Sequence, residues 1–305
     1  MRIAVMGAGS TGGYFGGMLA RGGNDVALIA RGAHLEAIRS NGLRVVRDEE
    51  EFTVRCQATD DPSTVGPVDL ALLCVKTYHN KAAIPMMQPL MGPGTTVLCL
   101  QNGVDSYLAA AEVLGELSVL PGAAFIEAGI LRPGVVQQTG GVVRIILGET
   151  DGIETERCRA IRDAFLGAGV PAEVVPDIKA GLWSKFLFIA TMAGVTSMAR
   201  ATLADILHQP HWRRVVLGCL AEIDTVGRAS GVDLPRDIVS DTANYMEEQL
   251  GDLQASMYVD LLAGRPLELD ALNGAVVRAG ISTGVATPIN DVIYASLKGL
   301  EDGSP

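Results

Sequence analysis

Positive charge is scarce in this sequence. Its 24 Lys and Arg residues stand against 35 Asp and Glu, a net charge of −11. No long-range field therefore draws the chain to nucleic acid or to an anionic membrane surface, and any anionic ligand must be held by a local basic cluster. Cysteine is sparse and lacks a pairing pattern. Cys56, Cys74, Cys99, Cys158 and Cys219 are odd in number and show neither CxxC nor CxH spacing, which argues against a disulfide framework or a metal site and fits buried thiols in a reducing cytoplasm. The four histidines, His34, His79, His208 and His211, add no ligand pairing; His208 and His211 flank Pro210 and read as a surface turn. Long apolar runs are also missing. The longest, Phe186 to Ala199, has 14 residues between Lys185 and Arg200, too few to span a bilayer, and predicts a buried helix. The N-terminus enters an apolar strand at once, without the charged region and small-residue cleavage site of a signal peptide.

What is present is enough apolar material for two cores, 48% of 305 residues. The first half alternates short β-rich runs with helical or polar segments, the pattern of a parallel sheet covered by helices. Its expected strands are Ile3–Met6, Val26–Ala30, Leu70–Val75, Thr96–Leu100, Val119–Ala123 and Val142–Leu147, mostly continuous apolar runs as suits strands buried on both faces. Val135–Gln138 and Val142–Leu147 are expected to form a hairpin across Thr139-Gly140-Gly141. After a helix at about Glu154–Ala168, long helical patterns take over. The expected organisation is α/β: a sheet domain over residues 1–172 followed by an all-helical domain over residues 173–305, with a short biased tail at Glu301–Pro305. An apolar helical domain could bury surface internally or against a second copy, so a homodimer is allowed.

Gly7, Gly9 and Gly12 form G-x-G-x-x-G after the first strand, and Thr11 to Arg21 reads as a helix. Gly7 would make the tight turn, Gly9 would let a pyrophosphate approach, and Gly12 would pack helix on strand. The pyrophosphate would sit on free backbone N–H groups at the helix N-terminus, where the helix dipole favours an anion, with Gly7, Ala8, Gly9, Ser10, Thr11 and Gly12 as the cofactor-binding loop. At the end of the second strand, where an NAD site would carry an acidic residue for the ribose 2′-hydroxyl, the chain reads Ala30-Arg31-Gly32. A missing carboxylate and an arginine able to grip a 2′-phosphate favour NADP(H). Lys185, read by itself at the start of an apolar helix, would snorkel to water. Lys76 and Asn102 follow expected parallel strands, at the edge where open α/β sheets bind ligands.

The segments "MGAGSTGGYFGG", "LLCVKTYHN", "LQNGV", "LWSKFLF", "SMYVDLLAGRPLELDALNG" and "ATPINDVIYASLKGLE" resemble, in order, the ketopantoate reductase (2-dehydropantoate 2-reductase) family, over residues 1 to about 301. The resemblance implies a Rossmann-like domain followed by a helical domain, the active site in the cleft between them, and NADPH-dependent reduction of an α-keto acid, ketopantoate to pantoate on the route to coenzyme A. It implies that Lys185 is the catalytic lysine, that Glu268 in E-x-D-x-x-N-G is the family's glutamate, that Asn102 and Lys76 are cofactor- and substrate-side residues, and that Ser256 contacts the substrate carboxylate. Asp270 is expected to cap the helix that follows Glu268.

One departure bears on the substrate. Where the family carries asparagines one and two helical turns after the lysine, this chain has Ile189 and Ala193. A substrate hydroxyl would then need Thr191 or Ser197, or the substrate is less hydroxylated than ketopantoate. Two alternatives stand beside ketopantoate reduction: a reductase or dehydrogenase acting on another 2-keto or 2-hydroxy acid, and a non-catalytic NADP(H)-binding sensor.

Overall fold

The computed structural model describes residues 1–47, 50–249 and 254–303; residues 304 and 305 of the expected tail lie outside the described residues. Contacts divide the chain into two units. The first comprises Met1–Gln101 with Ser106–Ile178, the second Asn102–Asp105 with Lys179–Pro305.

The first unit is the expected α/β layer. Its elements are β1 (Arg2–Met6), α1 (Ser10–Arg21), β2 (Asp25–Ile29), α2 (Gly32–Asn41), β3 (Leu43–Arg47), β4 (Glu50–Val54), β5 (Gln57–Thr59), β6 (Leu70–Leu73), α3 (Asn80–Met86), β7 (Thr96–Cys99), α4 (Ser106–Leu114), β8 (Val119–Arg132), β9 (Val135–Leu147), α5 (Glu156–Gly167) and β10 (Ala172–Val174). Among the described residues the strands run in the order β4-β3-β9-β8-β7-β6-β1-β2-β5, with β10 alongside β9. Pairing is parallel from β5 through β2, β1, β6 and β7 to β8, and antiparallel between β8 and β9 and between β3 and β4. The apolar runs of β1, β6 and β7 are buried because helices cover both faces. On one face Phe15 and Phe165 meet edge-on, rings 5.9 Å apart, within a core that includes Tyr14, Leu28 and Leu120.

One strand expectation needs correction, and three strands were not expected. Thr139-Gly140-Gly141 is not a turn: Val135–Leu147 is one strand, and the hairpin closes at Pro133-Gly134, where Gly134 has φ 76°. The register passes from Phe125 opposite Arg144 to Glu127 opposite Thr139. The glycines thus sit in an irregularity that takes up extra residues on β9, and the left-handed Gly140, φ 79°, makes it feasible. Strands β3, β4 and β5 were invisible because charged and polar residues interrupt them; in β3 only Leu43 and Val45 are fully covered.

The second unit is helical: α6 (Ile178–Ala199), α7 (Leu203–Leu207), α8 (Pro210–Ala229), α9 (Ile238–Gln249), α10 (Ser256–Leu262), α11 (Asn273–Thr283) and α12 (Pro288–Lys298). Helix α6 has 22 residues, more than its 14-residue apolar stretch suggested, because Ile178 to Lys185 continue it towards the N-terminus. By length and composition it could cross a membrane, but 67% of its apolar window is buried inside the protein, as in the core helix of a helical domain. Phe186, Leu187, Ala190 and Val195 pack against Val216, Leu220 and Ile223 of α8 and Val276 of α11.

A carboxylate fastens the last helix. Glu222 of α8 accepts from the backbone N–H groups of Ile289 (2.8 Å) and Asn290 (2.9 Å), orphan donors of the first turn of α12, and from the Asn290 amide (2.7 Å). Asn273 at the start of α11 donates to the Asn290 Oδ1 (3.0 Å) and to the Ala190 carbonyl of α6 (3.3 Å). Gly194 leaves room for this amide, since a Cβ there would lie 2.7 Å from it. Replacement Glu222→Ala strands three donors and should lower stability by about 2 kcal/mol. Trp183 and Trp212 both lie in this unit, so urea unfolding followed by tryptophan fluorescence reads the loss as an earlier midpoint.

Candidate active site

In the first unit the basic residues and the glycine loop gather at the carboxyl ends of adjacent parallel strands. The loop follows β1, Arg31 follows β2 and Lys76 follows β6, and these strands are neighbours in the sheet. Gly7 has φ 95°, and its backbone passes so close to Val75 that a Cβ would lie 2.8 Å from the Val75 nitrogen. At Gly12 a Cβ would run into the Gly7 carbonyl and the Val5 side chain, so only glycine lets α1 pack on β1. At Gly9 a Cβ would meet nothing within 4 Å, the open approach that a pyrophosphate needs. No side chain caps α1 at Gly9 and no acidic residue occupies its first turn. The N–H groups of Ser10, Thr11 and Gly12 are thus free to take an anion. Loop and helix fit a dinucleotide.

Residues outside the sequence-based list hold this edge in shape. His34 in α2 accepts at Nδ1 from the Gly134 N–H (3.1 Å), which leaves the Nε2 proton to donate to the Ala8 carbonyl (2.9 Å). Burial lowers the pKa of this imidazole, and the hydrogen bond to Ala8 opposes that. Gln101 donates to the Val75 carbonyl and to Asn80 Oδ1, both at 2.6 Å, and fixes the turn that presents Lys76. His79, in the same turn, lies 3.3 Å from an Arg31 nitrogen. A lone histidine or glutamine has no sequence pattern to announce such contacts.

In the second unit three of the expected residues come together. Lys185 Nζ donates to Asn102 Oδ1 at 2.9 Å, and the negative charge of Glu268, a side chain only 5% exposed, acts on the same ammonium. Lys185 does not snorkel: burial draws its pKa from the ordinary 10.5 down to about 8, opposed by Glu268. The segment Asn102–Asp105 is held by the unit it serves. Gly103, φ 105°, would bring a Cβ to 3.2 Å from the Ala271 carbonyl, and Asp105 pairs with Arg278 of α11 at 3.5 Å. The glycine of "LQNG" therefore does more than turn the chain; it lets Asn102 lie beside the segment carrying Glu268.

Ser256 is exposed at the first position of α10. Asp270 is not the expected helix cap. Helix α11 begins at Asn273, and Asp270 instead accepts from Arg278 (3.0 Å) and from the Tyr294 hydroxyl (2.9 Å), tying α11 to α12. Thr191 and Ser197 cannot stand in for the absent asparagines. Thr191 is fully buried and donates to Cys219 Sγ, and Ser197 is 1% exposed with its hydroxyl unpaired in the core. The helix face that carries Lys185 continues as Ile189 and Ala193, both apolar.

Comparisons with known proteins identify the family. The family described as ketopantoate reductase PanE/ApbA matches residues 3–152, and ketopantoate reductase PanE/ApbA C terminal matches residues 177–301. The 2-dehydropantoate 2-reductase of Mesorhizobium japonicum is 30% identical, with 98% of each chain covered. The crystal structure of 2-dehydropantoate 2-reductase from Geobacter metallireducens superposes with a TM-score of 0.92 at 31% identity, covering 98% of this chain and 99% of that one. D-mandelate dehydrogenase, solved with NADH and anilino(oxo)acetate, superposes at 0.89 with 26% identity and 99% coverage of both chains.

The electrostatics at Lys185 can be tested without any substrate. In Glu268→Gln the opposing pull on the ammonium is gone, so its pKa should fall below about 8. NMR titration of 13C-labelled lysine reads the shift, and an unchanged value would separate Glu268 from Lys185.

Proposed function

From the premise that this chain belongs to the ketopantoate reductase family, we propose that it is an NADPH-dependent reductase of an α-keto acid, with 2-dehydropantoate as the first substrate to test and pantoate, a precursor of coenzyme A, as its product. The observation that carries the reading is the Lys185 ammonium, held at Asn102 and weakened as a base by burial to a pKa of about 8. Bound nicotinamide supplies the hydride. Charge then develops on the ketone oxygen, where a positioned cation with a transferable proton stabilises it and completes the alcohol. Lys185 Nζ has both properties. Glu268 and Asn102 keep it protonated and aimed, and Ser256 is the proposed contact for the substrate carboxylate.

The glycine loop supports a dinucleotide, and Arg31 without an acidic neighbour supports its 2′-phosphorylated form. Lys76, held by the Gln101 clamp, adds positive charge at the same edge. All five cysteines are free thiols, which supports a reducing compartment such as the cytoplasm.

A second reading keeps fold and reaction and changes the substrate to a keto acid with an apolar side chain. It is favoured by Ile189 and Ala193, by the burial of Thr191 and Ser197, and by the neighbour named D-mandelate dehydrogenase. Turnover of 2-dehydropantoate, phenylglyoxylate and 4-methyl-2-oxopentanoate, followed as NADPH oxidation, decides between them. A ranking with 2-dehydropantoate last favours the second reading, and tight NADPH binding with no turnover favours a sensor.

Two variants test the roles. Lys185→Ala should cut kcat at least about 100-fold with NADPH affinity retained; wild-type turnover would overturn the assignment. Ala30→Asp with Arg31→Ala should move the preference towards NADH, and an unchanged ratio of kcat/KM values would return Arg31 to an ordinary surface residue.

A further inference from the structure

Arg31 is not alone at the end of β2. His79, 48 residues away in sequence, closes the turn after β6, and its Nε2 lies 3.3 Å from Arg31 Nη2. The guanidinium has only donors to offer, so the imidazole accepts with its Nε2 lone pair and is neutral in this arrangement. Around it the Tyr78 ring packs edge-on at 4.6 Å and the Lys76 carbonyl takes the His79 N–H at 2.9 Å. Among the described residues no carboxylate pairs with Arg31 or with His79. Two groups able to carry positive charge are thus held together at the ligand-binding edge without an anion of the protein's own. Burial and the Arg31 charge both lower the His79 pKa below 6.5.

We infer that His79 is the second cation of the 2′-phosphate site: NADPH binding protonates it, and Arg31 and imidazolium then grip the phosphate together. This rests on the NADPH reading above. A 2′-phosphate carries about −1.5 to −2 charges near pH 7, enough to reverse the sign of the field at the imidazole. The proton comes from solvent. Once protonated, Nε2 no longer accepts from Arg31, and both groups turn their N–H donors to phosphate oxygens, the charge-assisted bonds that such sites use. NADH lacks the phosphate and draws no proton, so discrimination between the two cofactors should itself depend on pH. The useful window is bounded below by the second ionisation of the phosphate, at about pH 6, and above by the pKa of His79 in the complex.

The test is binding of NADPH and of NADH to the full chain, followed by nucleotide fluorescence between about pH 6.5 and about pH 8.5. In the wild type the NADPH Kd should rise about tenfold over that range, the size of one charge-assisted hydrogen bond, while the NADH Kd stays level. His79→Asn should bind NADPH about tenfold more weakly at the acid end, with no pH dependence and an unchanged NADH Kd. His79→Lys supplies a permanent cation, so its NADPH binding should be tight and flat across the range. NADPH binding by His79→Asn that keeps the wild-type pH dependence would overturn the inference and leave the role of Arg31 intact. A wild type that does not prefer NADPH at any pH overturns both, and Arg31→Ala, unchanged in that case, identifies the earlier reading as the one at fault.

Discussion

The chemistry proposed for this protein depends on a lysine kept where an ammonium is poorly solvated. Taken out of water, Lys185 favours its neutral form; placed beside the Glu268 carboxylate and hydrogen-bonded to Asn102, it favours its charged form. Neither influence wins outright, and the balance near 8 leaves about one lysine in ten neutral at pH 7, against fewer than one in a thousand for an ordinary lysine. A group poised like that can give a proton to a nascent alkoxide and regain one from water without a large cost in either direction. The rest of the helical unit serves this balance. Phe186 and Leu187 make the surroundings apolar, and Asn273, Asn290 and Glu222 anchor the starts of α11 and α12, so that the segment bearing Glu268 has a fixed end to hang from.

The sheet unit meets the opposite problem, that of holding an anion on a protein with a net charge of −11. In the proposed reading it does so largely with backbone. Glycines at 7, 9 and 12 serve three separate purposes: a left-handed turn, an open approach and a tight helix-to-strand contact. The first turn of α1 then offers N–H groups that carry partial positive charge whatever the pH. The side-chain cations stand at the same edge, Lys76 after β6 and Arg31 at the end of the second strand with His79 beside it.

How much of this the sequence disclosed follows from the kind of signal each feature leaves. Continuous apolar runs announced β1, β2, β6 and β7, because strands buried on both faces have no polar positions. The glycine loop was legible because its spacing carries its physics. Asn102 was legible as a sheet-edge residue, but its partnership with Lys185, and the roles of Lys185 and Glu268, were legible only through resemblance, since Asn102 and Lys185 lie 83 residues apart and no local pattern records their contact. Strands β3 to β5 were missed because half-exposed strands mix Arg, Glu and Thr with Val. Thr139-Gly140-Gly141 misled because the backbone freedom that makes a turn also makes a bulge, and only the register of the partner strand tells them apart. Asp270 misled because a cap and a cross-helix anchor ask for the same side chain; it lies two residues before the cap position of α11, Leu272, and reaches Arg278 and Tyr294 instead.

The segment Asn102–Asp105 explains why the two units share one chain in so particular a way. It leaves β7 of the sheet, yet by its contacts it belongs with the helices, and it brings them the oxygen that accepts from Lys185. The ladder ends at Cys99, Gln101 bonds back to Val75 and Asn80 of the sheet unit, and the very next residue bonds to α6. Gly103 makes the path feasible with φ 105° and a backbone close to Ala271. A helical fragment beginning at residue 179 would therefore retain Lys185 and Glu268 and lose the hydrogen bond that aims the ammonium. Adjacent residues of one loop thus answer to the two halves of the proposed reaction: Gln101 fixes the turn that presents Lys76 and His79, and Asn102 fixes the proposed proton donor. A shift of that loop in sequence register would disturb both at once, which makes Gln101-Asn102-Gly103 the point where the two units' demands on the chain coincide.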